Sequence, residues 1–270
     1  MSALTFKLKT KPSQRVDMSP LVCHLLKDKS PSDIGSIELV SGKSQIRVDQ
    51  LFHISGFDTQ NIIIDNSCEK LDFIAKSLEA GKVTVNGNVG AYLAQEMKSG
   101  TVEINGNTGI FAACEMKQGL LTIKGNAGDF LGGALIGNKQ GMKGGTVLVK
   151  GNAGDRVGDH MRRGLILVEG NVGDYCGSRM TAGTIAVMGV TGKFLGYAMR
   201  RGTLLLWQSP KLSATFNDCG SHTLSFLPML FKSFKKLNSK FSDVNSAFNR
   251  AQRYVGDVAE IGRGEILVKL

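Results

Sequence analysis

A four-residue phrase, G-x-x-G, begins at Gly87, Gly106, Gly125, Gly151, Gly170 and Gly189, at spacings of 19, 19, 26, 19 and 19 residues. The one long spacing is 19 plus a seven-residue insertion within "GGALIGNKQ", Gly132 to Gln140. A fixed period of this length marks a repeat architecture, in which each unit buries its apolar face only against its neighbours. The register holds through the whole unit. The tenth residue after the first glycine is Met97, Met116, Met161, Met180 or Met199, with Met142 displaced by the insertion, and the thirteenth is Gly100, Gly119, Gly145, Gly164, Gly183 or Gly202. An earlier copy without the glycine opening places Leu78 and Gly81 at the same offsets.

After each thirteenth-position glycine comes a five-residue segment: "KVTVN", "TVEIN", "LLTIK", "TVLVK", "LILVE", "TIAVM" and "TLLLW". The second and fourth residues are always Val, Ile or Leu, the period-2 signature of a strand with one buried face. Val83, Val85, Val102, Ile104, Ile166 and Val168 are expected to point inward. Nineteen residues are too few for a helical pair of roughly 34, and glycine weakens a helix by about 1 kcal/mol. The unit suits one turn of a right-handed, single-stranded parallel β-helix, an all-β fold of about seven 19-residue coils. In that fold the methionines fill the interior. Asn88, Asn107, Asn126, Asn152 and Asn171 are expected to form a ladder whose amides bond from coil to coil.

The ends read differently. Residues 1–66 lack the repeat, but "LTFKLK", "SIELV" and "SQIRVDQLFHI" alternate like strands and "SPLVCHLLKD" looks like a short helix; this region is expected to cap the stack and cover its edge. The repeats occupy 67–209. Over 210–270, "FLPMLFKSFKKLNSKFSDVNSAFNRAQRYV" places Phe231, Phe234 and Phe241 on one side of a basic amphipathic helix expected to pack on the coils, and "YVGDVAEIGRGEILVKL" returns to the sheet.

Composition narrows the function. A formal charge of +10 calls for an anionic partner, yet aromatic residues make up only 7% of the chain, which weighs against nucleic acid because unstacked bases need aromatic platforms. A basic polyanion-binding or nucleic-acid-binding module is kept as an alternative. The five cysteines are widely spaced and never form CxxC, so neither a disulfide framework nor a zinc ribbon follows. With no leader-like or membrane-spanning apolar run, a cytoplasmic chain without membrane attachment is expected.

Catalytic signatures are missing. The four histidines share no metal-ligand spacing. "SGKS" at Ser41 to Ser44 lacks the first glycine of a P-loop, having Ile37 there, and reads as a hairpin turn. Asp129, Asp155 and Asp174 share an offset, but Ala91, Ile110 and Lys193 interrupt the column, which favours turn chemistry over cation binding. One column has functional promise: Lys98, Lys117, Lys143, Arg162 and Arg200 follow the methionines, with Arg163 and Arg201 beside them. A cation on nearly every coil stands about 5 Å from its neighbours and needs solvent or an anion to compensate. This column reads either as a solvated basic face or as a track for a polyanion or an acidic subunit.

The successive "GNxGD-(Y/F)-x-G-x-x-M-x-x-G" units, the preceding "IELVSGKSQIRVDQLFHISG" and the closing "YVGDVAEIGRGEILV" resemble the C-subunit family of formylmethanofuran dehydrogenase. Within it, they most resemble the corresponding β-helical subunit of the bacterial formyltransferase/hydrolase complex, and the units are also similar to the GXGXG domain of the glutamate synthase large subunit. The resemblance implies a parallel β-helix subunit, without an active site, metal or cofactor of its own. It would hold together a complex that uses tetrahydromethanopterin and a methanofuran-type carrier. The implied partners are a formyltransferase, a zinc-dependent amidohydrolase-like subunit and a molybdopterin-enzyme-like subunit. The alternative it leaves open is the same subunit in a molybdenum or tungsten formylmethanofuran dehydrogenase. Because such carriers have glutamate-rich tails, it also gives the basic column a candidate counterpart.

Overall fold

The seven repeat segments all become strands: Lys82–Gly87, Thr101–Asn105, Leu120–Ile123, Lys143–Val149, Arg163–Val168, Thr184–Val187 and Arg201–Leu206. In the computed structural model, which describes residues 2–245 and 247–270, each but the last pairs in parallel with the strand one unit further on. The register keeps like residues together. Val83 lies opposite Val102, Val102 opposite Leu121, and the alignment runs on through Val147, Ile166, Ile185 and Leu204. Burial of this row and of the row from Val85 to Leu206 makes one continuous core, so the alternation in sequence becomes two stacked columns of aliphatic side chains.

A second, thinner parallel column links Val89, Thr108, Ala127, Ala153, Val172 and Thr191 by single bridges. Between the columns the chain follows an arc in which every other residue is left-handed, for example Tyr92, Ala94 and Glu96 with φ of 60°, 53° and 53°. That conformation costs about 1 to 3 kcal/mol for a residue other than glycine. Hydrogen bonds to both neighbouring units offset it: Tyr92 donates its backbone N–H to the Ile110 carbonyl at 3.0 Å, and Ala94 donates to Ile74 at 2.8 Å.

Methionine and glycine columns depend on each other. A Cβ on Gly119, where φ is 101°, would stand 2.6 Å from Met97 Cε, and the same clash recurs between Gly145 and Met116, Gly164 and Met142, and Gly183 and Met161. Each methionine tip therefore fills the space left by the next unit's glycine. The asparagine ladder differs from expectation. Each Asn Oδ1 accepts the backbone N–H of the next unit, as when Asn126 donates to Asn107 at 2.8 Å and Asn152 to Asn126 at 2.8 Å. A backbone donor at a turn has no strand partner, and the amide oxygen supplies one. Asp129, Asp155 and Asp174 do the same for Asp155, Asp174 and Lys193.

The large sheet has 13 strands because both ends of the chain add to it. Ala3–Leu8 runs parallel to Asp58–Ser67, and Phe52–Ser55 closes that end antiparallel. The stretch "SQIRVDQLFHI" is not one strand. Val48–Leu51 forms a helical turn in its middle, with the Gln50 side chain accepting the Arg47 N–H at 3.1 Å. Ser44–Arg47 belongs instead to a separate four-stranded sheet, hairpinned to Glu38–Ser41 through Gly42 at φ 62°. At the other end Arg263–Lys269 lies parallel to Arg201–Leu206, followed by the antiparallel strands Arg250–Gly256 and Asn217–Thr223.

The expected C-terminal helix is present but short, spanning Phe226–Phe234, with a separate 3-10 turn at Lys240–Asp243. The chain bends after Phe234 so that Phe241 also reaches the sheet, its ring 5.7 Å from that of Phe234. One continuous helix would carry Phe241 past the surface it covers. That surface is the outer side of the strands, where Leu148, Leu167, Ala186, Leu205 and Leu267 pack under Leu227, Phe231, Phe234 and Phe241. The first four occupy the third position of the five-residue repeat segments, and Leu267 lies in register with Leu205. The earlier strands carry Thr84, Glu103 and Thr122 there, and the helix leaves those uncovered.

Candidate functional site

The basic column divides in two. Lys98 pairs with Glu79 at 2.7 Å, Lys117 with Glu96 at 3.7 Å, Lys143 with Glu115 at 3.2 Å and Arg200 with Glu260 at 3.3 Å. In the first two pairs the acid lies about one unit away, so the repeat supplies both partners and the column neutralises part of itself. Arg162, Arg163 and Arg201 are exposed and form no ion pair among the described residues. Arg163 starts its strand beside Lys143, and Arg201 starts its strand beside Arg263. Arg263, also exposed, extends the patch and lies outside the repeat register from which the column was read; the signal for it was the resemblance of "GRGEILV" to a repeat strand. The seven named cations thus come together as one edge of the sheet, with unpaired charge concentrated at Arg162, Arg163, Arg201 and Arg263.

Next to this edge, two buried carboxylates organise the surface. Glu115 accepts from Asn138 Nδ2 at 2.5 Å, Lys143 Nζ at 3.2 Å and the Leu135 N–H at 3.4 Å. It therefore ties the insertion down. Burial alone would raise its pKa, but the bonds from Asn138 and Lys143 outweigh it and hold the carboxyl below the usual range. Asp159 accepts from Ser178 Oγ at 2.6 Å and from both ends of the Arg179 guanidinium, at 3.0 and 2.6 Å. His160 lines the same hollow with Phe111, Phe130, Ile136 and Arg179; burial, with Arg179 nearby, lowers its pKa against the opposing pull of Asp159. Every lone pair engaged here holds the fold, and among the residues of this hollow no nucleophile stands beside a free base.

A further column is not apparent residue by residue, although its letters stand in the motif. The fifth residue after each first glycine is left-handed and presents a ring or a planar cation, Tyr92, Phe111, Phe130, Arg156, Tyr175 and Phe194, and Phe73 holds the same offset in the earlier copy, five residues after Cys68. Their rings stack nearly parallel, 4.8 Å apart for Phe73 and Tyr92, 5.3 Å for Tyr92 and Phe111, 4.7 Å for Phe111 and Phe130, and 4.8 Å for Tyr175 and Phe194. Arg156 bridges the gap, its guanidinium 5.9 Å from the Phe130 ring centre and 4.5 Å from that of Tyr175. Strand spacing sets ring spacing, and the rings form a stacked spine along the repeat.

The chain as a whole is similar to known proteins. The GXGXG motif family model matches residues 67–222. Two curated relatives from Methanococcus maripaludis, each described as the C-subunit of tungsten-containing formylmethanofuran dehydrogenase 2, are 30% and 29% identical over 95 residues. That match covers 34% of this chain and spans only 35% of each relative. One chain in the crystal structure of the formyltransferase/hydrolase complex FhcABCD from Methylorubrum extorquens, in complex with methylofuran, is 34% identical with a TM-score of 0.92, covering 98% of this chain and 99% of that one. With the motif running through more than half of its length, the chain belongs to the GXGXG family.

Proposed function

We propose that this chain is the non-catalytic scaffold subunit of a cytoplasmic formyltransferase/hydrolase complex of tetrahydromethanopterin-linked one-carbon metabolism. In that complex a formyl group passes to a methanofuran-type carrier and leaves as formate. The observation that carries the reading is likeness over 98% of the chain to a chain of such a complex, at 34% identity and a TM-score of 0.92. The partners are a formyltransferase, an amidohydrolase-like subunit holding the metal, and a molybdopterin-enzyme-like subunit. No helix among the described residues is long and apolar enough to cross a membrane, in keeping with a cytoplasmic assembly.

Two finer statements belong to this reading. The in-register parallel strands, the second bridge column and the ring stack support winding as a right-handed single-stranded β-helix, capped by residues 1–66 and closed by 210–270. The column of Lys98, Lys117, Lys143, Arg162, Arg163, Arg200 and Arg201 docks a glutamate-rich carrier tail or an acidic neighbour, chiefly through Arg162, Arg163 and Arg201, which pair with no carboxylate among the described residues. Replacing Arg162, Arg163, Arg200 and Arg201 by serine is expected to weaken carrier retention or subunit assembly, and unchanged values of both would refute the docking.

The second reading places the chain in a molybdenum or tungsten formylmethanofuran dehydrogenase, as the same β-helical subunit, and is favoured by the two Methanococcus relatives. Native affinity purification with identification of the co-purifying chains separates the two. Formyltransferase and amidohydrolase-like chains support the first, tungsten- or molybdenum-bearing chains with iron and sulfur support the second, and a lone monomer contradicts both.

A further inference from the structure

The ring stack ends at Phe194 without a next rung. In every unit from Tyr92 to Tyr175 the left-handed residue donates its N–H to the following unit, as Tyr175 does to the Lys193 carbonyl at 2.8 Å. The same step from Phe194 points to residue 212. No such bond forms, and among the described residues neither the Phe194 nor the Thr191 N–H donates to any backbone carbonyl. The Thr191 hydroxyl is buried and has no hydrogen-bond partner among the described residues. The Phe194 side chain is left 48% exposed, whereas Phe111, in mid-stack, is buried.

The chain does not leave this end open for a partner's strand. Lys211, Leu212 and Ser213 cross it, with Leu212 packed on the main core, and what remains between them and Phe194 is a cavity of about 540 Å³ bounded also by Asp174, Thr191, Gly192 and Lys193. Small-ligand pockets of roughly 300 to 1,000 Å³ commonly combine an apolar or aromatic wall with a few polar groups. Lys193 and Lys211 are exposed and form no ion pair among the described residues, while Asp174 Oδ1 is engaged by the Lys193 N–H at 2.7 Å.

From this we infer a binding site for a small planar aromatic or heteroaromatic ring carrying an anionic group, which enters the slot as the missing rung. Its ring lies on Phe194 at the stack's spacing, and its anion meets Lys193 and Lys211. The preceding rungs set the geometry: four ring pairs stack within 20° of parallel, so the floor of the slot is held flat by the whole column. The site lies apart from the basic edge and does not rest on the assembly proposed above.

The test uses 2-naphthoate as probe, with 2-naphthamide and cyclohexanecarboxylate as controls lacking the charge or the flat ring. Binding is measured by isothermal titration on the full chain, alone and in the assembly in which it purifies. Saturable one-to-one binding is expected in both, stronger than for either control. Phe194→Leu, which keeps bulk but removes the ring, is expected to weaken it about tenfold, and Lys193→Ser with Lys211→Ser by a similar factor. Ile136→Ser, on the exposed insertion, is the folded control and should bind as the parent does. Absence of saturable binding, or binding unchanged by Phe194→Leu, overturns the inference. Binding by the lone chain that disappears in the assembly also overturns it, since a partner's side chain then fills the slot.

Discussion

At Gly119 two constraints meet in one atom: the backbone is at φ 101°, and an added Cβ would stand 2.6 Å from Met97 Cε and 2.8 Å from the Gly100 carbonyl. Gly119→Ala is expected to cost about 2 to 4 kcal/mol, read as a drop in the denaturation midpoint. Because the backbone term remains after the methionine is shortened, Met97→Ala in the same chain should not restore the loss. Thiols give a second expectation at this scale. Burial pushes Cys114 and Cys176 up to about 12 and Cys23 up to about 11, and Cys219 alone is exposed. Iodoacetamide at pH 8 should therefore modify Cys219 in the folded protein and the remaining four only after denaturation; rapid native labelling of Cys114 or Cys176 would contradict the packing. The glycine and methionine columns were legible in the sequence because each repeats at one offset, but their mutual dependence was not. It comes from contact between residues 22 apart, as Met97 and Gly119 are, which a column-by-column reading does not join.

Among the elements, the third residue of each five-residue repeat segment shows how a variable position can carry information. Thr84, Glu103 and Thr122 face outward in the early strands, while Leu148, Leu167, Ala186 and Leu205 lie under the Phe226–Phe234 helix. The change from polar to apolar letters marks where the helix rests, and read only as variation it conceals this. Leu167→Gln is expected to cost about 2 to 5 kcal/mol, as for loss of a buried leucine, and Thr122→Gln less than about 0.5 kcal/mol; equal effects would place the helix elsewhere. The insertion gives a pH-dependent expectation. The Glu115 carboxyl is held below its unfolded value of 4.5, so its anchoring contributes stability above that value and loses it as pH falls through the folded pKa. Amide exchange over residues 133–141, corrected for intrinsic rate, should accelerate as pH is lowered from 4.5 through the depressed folded pKa, and Glu115→Gln should abolish that step. Where the helix would stop was not legible, since that depends on Phe241 reaching the same surface as Phe234.

Over the whole molecule, the repeat prescribes a stack that grows by in-register pairing and has no internal reason to stop. Both termini supply the stop: Phe52–Ser55 and the Asn217–Thr223 and Arg250–Gly256 pair turn the parallel ladder antiparallel at its two ends, blunting edges that would otherwise recruit further strands. What lies between is a stack whose Asn and Asp turn oxygens are engaged by the next unit, with arginines that form no ion pair among the described residues along one edge and a ring slot at one end. That division was partly legible. The basic column was visible as letters, but which of its members are neutralised depends on Glu79, Glu96, Glu115 and Glu260, brought near by winding and, for Glu260, by the return of the chain. The proposed scaffold role makes removal of the chain its most direct test. The transferase-type and amidohydrolase-type partner subunits are co-expressed with and without this chain, and the assembly is measured by native mass spectrometry. A single heteromeric complex that forms only when this chain is present is the expected result; the same complex forming without it would contradict the scaffold role.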